Sequence, residues 1–300
     1  MSALLLSVDP ARFARDYDRR AFKIHHQLAQ HPLLALPRLV ELAQGLAGSV
    51  LYFRADHPIN QVDADAPALK KHTFVDRNLE RPPLGVAETV ARIESCNAWL
   101  QLRDVGKDPA YRELLHSLIA EFREHAEPLS PGLTGTRADI FISSPHATTP
   151  FHLDEEHNFL LQVRGTKRLS IADGSNRAVL SDRHLCDFFR DRGELAPYSE
   201  ELERLSEHVE LTPGEGVHIP PCYPHWVKNG GEVSISLGIL WHSDVTARRR
   251  ALYRVNDWLR GLGIEPTPPG EQPLADRVKV LPFALKRRAQ RALGRRLLAR

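Results

Sequence analysis

Thr149-Pro-Phe-His-Leu-Asp-Glu-Glu-His-Asn-Phe-Leu-Leu-Gln-Val-Arg-Gly-Thr-Lys-Arg-Leu-Ser-Ile-Ala172 decides how the rest of the chain is read. Asn158 to Val163 and Lys167 to Ala172 are apolar runs of strand length, and Gly165 stands at the turn between them. The same grammar extends outward. Ala138 to Ser144 reads as a strand upstream. Val209 to Leu211, Gly216 to Pro220, Trp226 to Lys228 and Val233 to Leu240 read as strands downstream, punctuated by Pro-Gly-Glu-Gly at 213–216 and Asn-Gly-Gly at 229–231. Many short strands with Gly and Pro turns give a mainly β core, a small antiparallel barrel or sandwich.

The flanks read differently. Residues 1–130 are mostly helical in pattern and are expected to pack on a barrel spanning 131–246. Leu33 to Leu46 and Val86 to Ile93 are two helices of that region. A third opens with Asp108 as N-cap and Pro109 at the first helical position and runs to about His125, with Leu114, Leu115, Leu118, Ile119 and Phe122 as its apolar stripe. Asn97 to Leu102 is a strand between helices. A helical insert is expected at about 181–207, and C-terminal helices over 247–300, where 247–263 has helical pattern and Pro266 to Pro273 is Pro-rich.

Composition sets outer limits. With 300 residues, 42% hydrophobic and 26% charged, the chain has ordinary globular usage. No apolar run approaches the ~20 residues of a membrane-spanning helix. Met1-Ser-Ala-Leu-Leu-Leu lacks a basic leader, and the three cysteines form no CxxC pair. A reducing, cytoplasmic location is therefore expected. The net charge of +2 conceals an asymmetry: residues 277–300 carry nine Lys/Arg and no acid, so the other 276 carry −7. An acidic body disfavours nucleic acid as a partner. In the tail, Leu285, Ala289, Ala292, Leu293 and Leu297 line one helical face and Arg287, Arg291 and Arg295 another. This basic amphipathic pattern suits an anionic membrane surface, an acidic partner or a dimer contact.

The chemistry lies in a His-x-Asp pattern. With 15 histidines, chance supplies roughly one such match in a chain of this composition, and there are two, His152-Leu-Asp154 and His242-Ser-Asp244. On a strand His152 and Asp154 would share a face. His225, in Pro220-Pro-Cys-Tyr-Pro-His225-Trp ahead of a strand, can add a third ligand. Two histidines and one carboxylate form the facial triad that leaves open positions on non-haem Fe(II). No histidine follows His242-x-Asp244 to complete a comparable set.

The spacing resembles both motifs of the cupin superfamily. His152-x-Asp154, three residues, Asn158, six residues, Gly165 fits the second half of the first motif, with Asp for its second His and Asn for its Glu. Gly214, five residues, Pro220, then His225, three residues, Asn229 fits the second, with Cys222 at its Gly. Within the superfamily the chain resembles JmjC-type oxygenases, and residues 149–168 are most similar to the asparaginyl-hydroxylase branch typified by factor inhibiting hypoxia-inducible factor. The resemblance implies a double-stranded β-helix, the cupin/JmjC jelly-roll barrel, with Fe(II) held by His152, Asp154 and His225. It implies 2-oxoglutarate as co-substrate with O2, its far carboxylate on Thr149 and Lys167 and its metal end near Asn158. That branch has Asn where this chain has Gly238. The implied reaction hydroxylates a C–H bond of a protein side chain or small molecule and releases succinate and CO2. The branch also dimerises through C-terminal helices. A non-catalytic cupin-like binding or regulatory protein and a JmjC-type N-demethylase stay open as alternatives.

Overall fold

The structure, a computed structural model, describes residues 4–46, 49–55, 84–190, 199–283 and 285. The tail from 286 on and residues 191–198 of the expected insert lie outside the described residues.

Among the described residues, twelve antiparallel strands form two facing sheets. The larger contains, in spatial order, β1 (Leu6–Ser7), β2 (Phe22–His26), β10 (Glu215–Ile219), β7 (His157–Arg164), β12 (Ser234–His242), β5 (Thr134–Ser143), β4 (Ala98–Leu102) and β3 (Val50–Arg54). The smaller contains β6 (Thr148–His152), β11 (His225–Asn229), β8 (Lys167–Ala172) and β9 (Ser206–Leu211).

Period-two alternation sorts the side chains. On β7, Phe159, Leu161 and Val163 join the core outside the large sheet, as do Ile235, Leu237, Ile239 and Trp241 of β12 and Ala138, Ile140 and Ile142 of β5. The helices cover that face: α1 (Pro10–Asp16), α2 (Leu36–Gly45), α3 (Val86–Ala91) and α4 (Pro109–Ala126). The Leu118 and Phe122 positions of α4 are fully buried there, and Asp108 caps α4 with Pro109 in its first turn, as expected. Residues on the inner side of the same strands meet the small sheet. Leu160, Val217 and Ile219 pack there with Leu169, Ile171 and Val227. A third cluster backs the small sheet, where Phe151 and Trp226 meet α5 (Asp182–Phe189), α6 (Glu200–Arg204) and Tyr253 of α7 (Asp244–Gly261). A last helix, α8, covers 273–283.

The described part of segment 1–130 holds the expected helices and, beside the expected strand at Ala98–Leu102, short strands that the helical pattern did not announce. Four strands from that region extend both flanks of the large sheet. Three were hidden because they are short or carry polar residues: β2 buries Phe22, Ile24 and His26, and the histidine masks the alternation. Among the described residues no helix is long and apolar enough to cross a membrane, and all three cysteines are free.

Candidate metal centre

β6 and β11 lie side by side in the small sheet, and their register sets His152 opposite His225. The two rings are 4.1 Å apart between centroids. The expected route for Asp154 does not hold: β6 ends at His152, so Asp154 arrives by the following loop rather than by the pleat. That loop is fixed from below, because the Cys222 amide donates to the Asp154 carbonyl at 2.7 Å. The result still unites the three residues. Their ligand atoms all lie within 4.8 Å of one another, and Asp154 Oδ2 is 3.8 Å from His225 Nε2.

The backbone sets the tautomers. His152 Nδ1 is 2.7 Å from the Pro150 carbonyl, and His225 Nδ1 is 2.8 Å from the Tyr223 carbonyl. A carbonyl only accepts, so each Nδ1 carries the proton and each Nε2 carries the lone pair. This is the arrangement that metal-binding histidines need. Burial works against charge on Asp154. The two histidines, Arg137 and an Asn158 amide N–H at 3.3 Å outweigh it and hold its carboxyl below the usual range. Burial and the neighbouring His152 push His225 down to about 4, so it is a neutral donor near neutrality. Two neutral imidazoles and one carboxylate fit a divalent transition metal with open positions.

A cavity of about 250 Å³ opens over this group, and it collects all six residues singled out by the sequence: Thr149, His152, Asp154, Asn158, Lys167 and His225. Lys167 shares the inward face of β8 with Leu169 and Ile171 and is only 5% exposed. Its Nζ donates to Ser236 Oγ at 2.5 Å. No ion pair among the described residues involves it, and burial alone lowers its pKa to about 7. Thr149 Oγ1 accepts from the Trp99 indole at 3.0 Å, which leaves the hydroxyl proton to donate elsewhere. Asn158 Oδ1 is buried, with no hydrogen-bond partner among the described residues.

Other residues of the cavity were not legible in advance. Trp99 comes from β4, Phe141 and Arg137 from β5. Burial opposes the Arg137 charge, and Asp139 and Glu156 restore it. Gly238 faces the same space. A Cβ there would meet the Phe141 ring at 2.9 Å and stand 3.7 Å from Asn158 Oδ1, so the Phe141 ring fills the room that an Asn would need. Tyr223, Trp226 and Trp241 are buried core aromatics and do not line the cavity. His157 belongs to β7 and is fully buried. The second His-x-Asp remains apart: Asp244 opens α7, and His242 stands 3.8 Å from Glu156. Glu155 and Glu156, which cluster with it, are engaged by Arg250 and Arg137.

The cupin-like domain family matches residues 62–247, more than half the chain and all of the centre just described. The chain belongs to the cupin-like family. Jumonji C domain-containing protein 5 of Drosophila melanogaster is 24% identical to this cupin-like chain over 179 residues, covering 58% of the chain and 42% of that protein. Among solved structures, YcfD, a ribosomal oxygenase from Escherichia coli, in complex with cobalt and 2-oxoglutarate, is 16% identical with a TM-score of 0.48 over 95% of this chain and 68% of that one. Its complex with cobalt and succinic acid gives 16% and 0.46 over the same shares. The chain thus spans less than half the length of the fly protein and about two thirds of YcfD. The family assignment rests on the domain match, and none of these relatives singles out the asparaginyl-hydroxylase branch.

Proposed function

We propose that this cupin-like protein is a non-haem Fe(II)- and 2-oxoglutarate-dependent dioxygenase that hydroxylates a C–H bond and releases succinate and CO2. One juxtaposition carries the reading. A cavity holds a two-histidine, one-carboxylate group together with Lys167, a buried amine with no acidic partner among the described residues. A binding module has no need of both. Fe(II), when bound, supplies the O2-activating oxidation that no side chain here can perform.

The chain's own residues do the rest. His152 Nε2, His225 Nε2 and the Asp154 carboxylate would hold the ion. Lys167 would meet the far carboxylate of 2-oxoglutarate with a charge-assisted hydrogen bond, and the Thr149 hydroxyl would add a second donor. Asn158 orients Asp154 through its N–H and offers Oδ1 as an acceptor inside the cavity. Phe141, Leu160 and Val227 keep bulk water from the reacting atoms. The volume lies below the roughly 300–1,000 Å³ of drug-sized pockets. It suits a small co-substrate plus the tip of a second molecule, a protein side chain or a small metabolite.

The test is succinate formation from 2-oxoglutarate by purified protein with Fe(II). We expect turnover even without the true substrate, its loss in His152→Ala, and at least a roughly tenfold higher 2-oxoglutarate requirement in Lys167→Ala. Failure of the protein to bind either Fe(II) or 2-oxoglutarate anaerobically would overturn the proposal in favour of a non-catalytic cupin.

A further inference from the structure

Arg103 stands one residue beyond β4, on the face that Trp99 and Gln101 turn to the cavity, and all three line it. Its backbone is clamped. The Arg103 amide donates to the Ser49 carbonyl at 2.9 Å, and the next amide, of Asp104, donates to Asp139 Oδ1 at 2.8 Å. Asp104 is held there at φ +53°, in the left-handed region. The Arg103 side chain is not clamped. Among the described residues no hydrogen bond or ion pair engages its guanidinium, whose N–H groups can only donate. The acids around it are already matched. Glu155 pairs with Arg250, Glu156 with Arg137, and the buried Asp139 accepts from both Arg137 and Gln101.

Position separates Arg103 from the expected co-substrate. Its backbone lies about 13 Å along the strand from Trp99, which holds Thr149. Continuing the β4–β5 register brings it level with Asp139, which pairs with Gly238 on β12. Two strand spacings then put it roughly 10 Å to the side of Gly238, the residue that borders Asn158. Exposure rises in the same direction, since Trp99 is buried and Gln101 and Arg103 are half-buried. Arg103 thus stands toward the opening, where a second molecule enters. Its planar fork matches the two oxygens of a carboxylate. One arginine balances that single charge and falls short of a phosphate dianion. A cationic group would meet only acids that already have partners. Leu51, Leu153, Phe188 and Leu240 line the same space and suit a carbon chain.

We infer that Arg103 binds the carboxylate of the second substrate, a small carboxylic acid whose carbon chain carries the C–H bond to be hydroxylated. The inference rests on the proposed reaction, adds no step to it and narrows its substrate. The test is labelling of the full chain with phenylglyoxal, which reacts with unengaged guanidinium groups, mapped to Arg103 by peptide mass spectrometry. It is run anaerobically with Fe(II), with and without excess 2-oxoglutarate. We expect hexanoate to protect Arg103 when 2-oxoglutarate is present, and hexanamide, of the same size without the charge, to leave it reactive. Ligand-observed NMR should show hexanoate binding at least roughly tenfold weaker in Arg103→Gln, with part restored in Arg103→Lys. Both variants should keep the thermal unfolding midpoint of the parent, because no partner is lost. No protection by hexanoate, or equal protection by hexanamide, would overturn the inference. Protection by 2-oxoglutarate alone would also overturn it, and would assign Arg103 to the co-substrate. Protection by acetyl-Ala-Asp-Ala-amide but not by hexanoate would overturn it in favour of an acidic side chain on a protein. The proposed reaction fails separately, by absence of Fe(II) binding or of succinate formation, whatever the labelling of Arg103 shows.

Discussion

Lys167 is held by residues that the proposed reaction does not otherwise use. Ser236 Oγ accepts from its ammonium and donates its own proton to Gln162 Oε1 at 2.7 Å. Gln162 is oriented in turn, because its Nε2 donates to the Arg164 and Gly165 carbonyls at 2.6 and 3.0 Å. The relay engages one of three ammonium protons and leaves two for an incoming anion. Ser236→Ala and Gln162→Leu should each raise the KM for 2-oxoglutarate several-fold with little change in kcat, and Ser236→Thr should restore part of it. Steady-state kinetics on the two parameters separates this from general damage. The lysine also predicts a pH dependence. Its folded pKa is lowered to about 7 from 10.5, so the free protein loses the binding charge as pH rises through 7. Affinity for 2-oxoglutarate should be flat below that point and weaken above it, by up to about tenfold per pH unit. Calorimetry in buffers of different ionisation enthalpy should show proton uptake on binding near neutrality.

Among the elements, the turn that delivers His225 is tightly constrained. Cys222 has φ +64°, in the left-handed region that favours glycine, at the position where the cupin spacing calls for glycine. A Cβ at Gly174 would strike the Cys222 carbonyl. Gly174→Ala should therefore push this turn away, destabilise by about 1–3 kcal/mol and weaken Fe(II) binding, measurable by thermal unfolding and anaerobic metal titration. Cys222→Val should cost more stability than Cys222→Gly, because a β-branched residue tolerates positive φ least.

The same elements show what could be read from residues alone. β7, β8, β10, β11 and β12 announce themselves by apolar runs between Gly and Pro turns, and with them come Lys167, Asn158 and His225. β6 does not, because Pro150 interrupts Thr148–His152. Trp99 and Phe141 could not be foreseen as cavity residues, since each depends on strand neighbours distant in sequence. The relay through Gln162 depends on β7 pairing with β12, which no local pattern encodes.

At the scale of the whole molecule, the layer between the large sheet and its helices contains a buried stack of His157, His218, Tyr17 and Trp241. His157 lies 4.7 Å from the Tyr17 ring and 5.3 Å from Trp241, and His218 lies 5.0 Å from Tyr17. His157 Nδ1 and His218 Nε2 are 3.3 Å apart. Burial lowers both, His218 to about 3. Above 6.5 both folded and unfolded states hold these rings neutral, and their contribution is complete. Below 6.5 the unfolded chain takes up protons that the folded one refuses, so stability should fall as pH drops from about 6.5 toward 3. Chemical denaturation across that range should show the slope, and His218→Phe should flatten it.

The order of strands in the large sheet has a consequence for how the protein is made. Its central member, β12, ends at His242 and pairs with both β5 and β7. On the ribosome, β5 and β7 emerge long before the strand that joins them. Until then each half presents an open hydrogen-bonding edge, and the cavity between the sheets has no wall on that side. Maturation is therefore all-or-none and late: stalled or nicked chains ending before β12 should be captured by chaperones or aggregate through those edges rather than accumulate as partly active barrels.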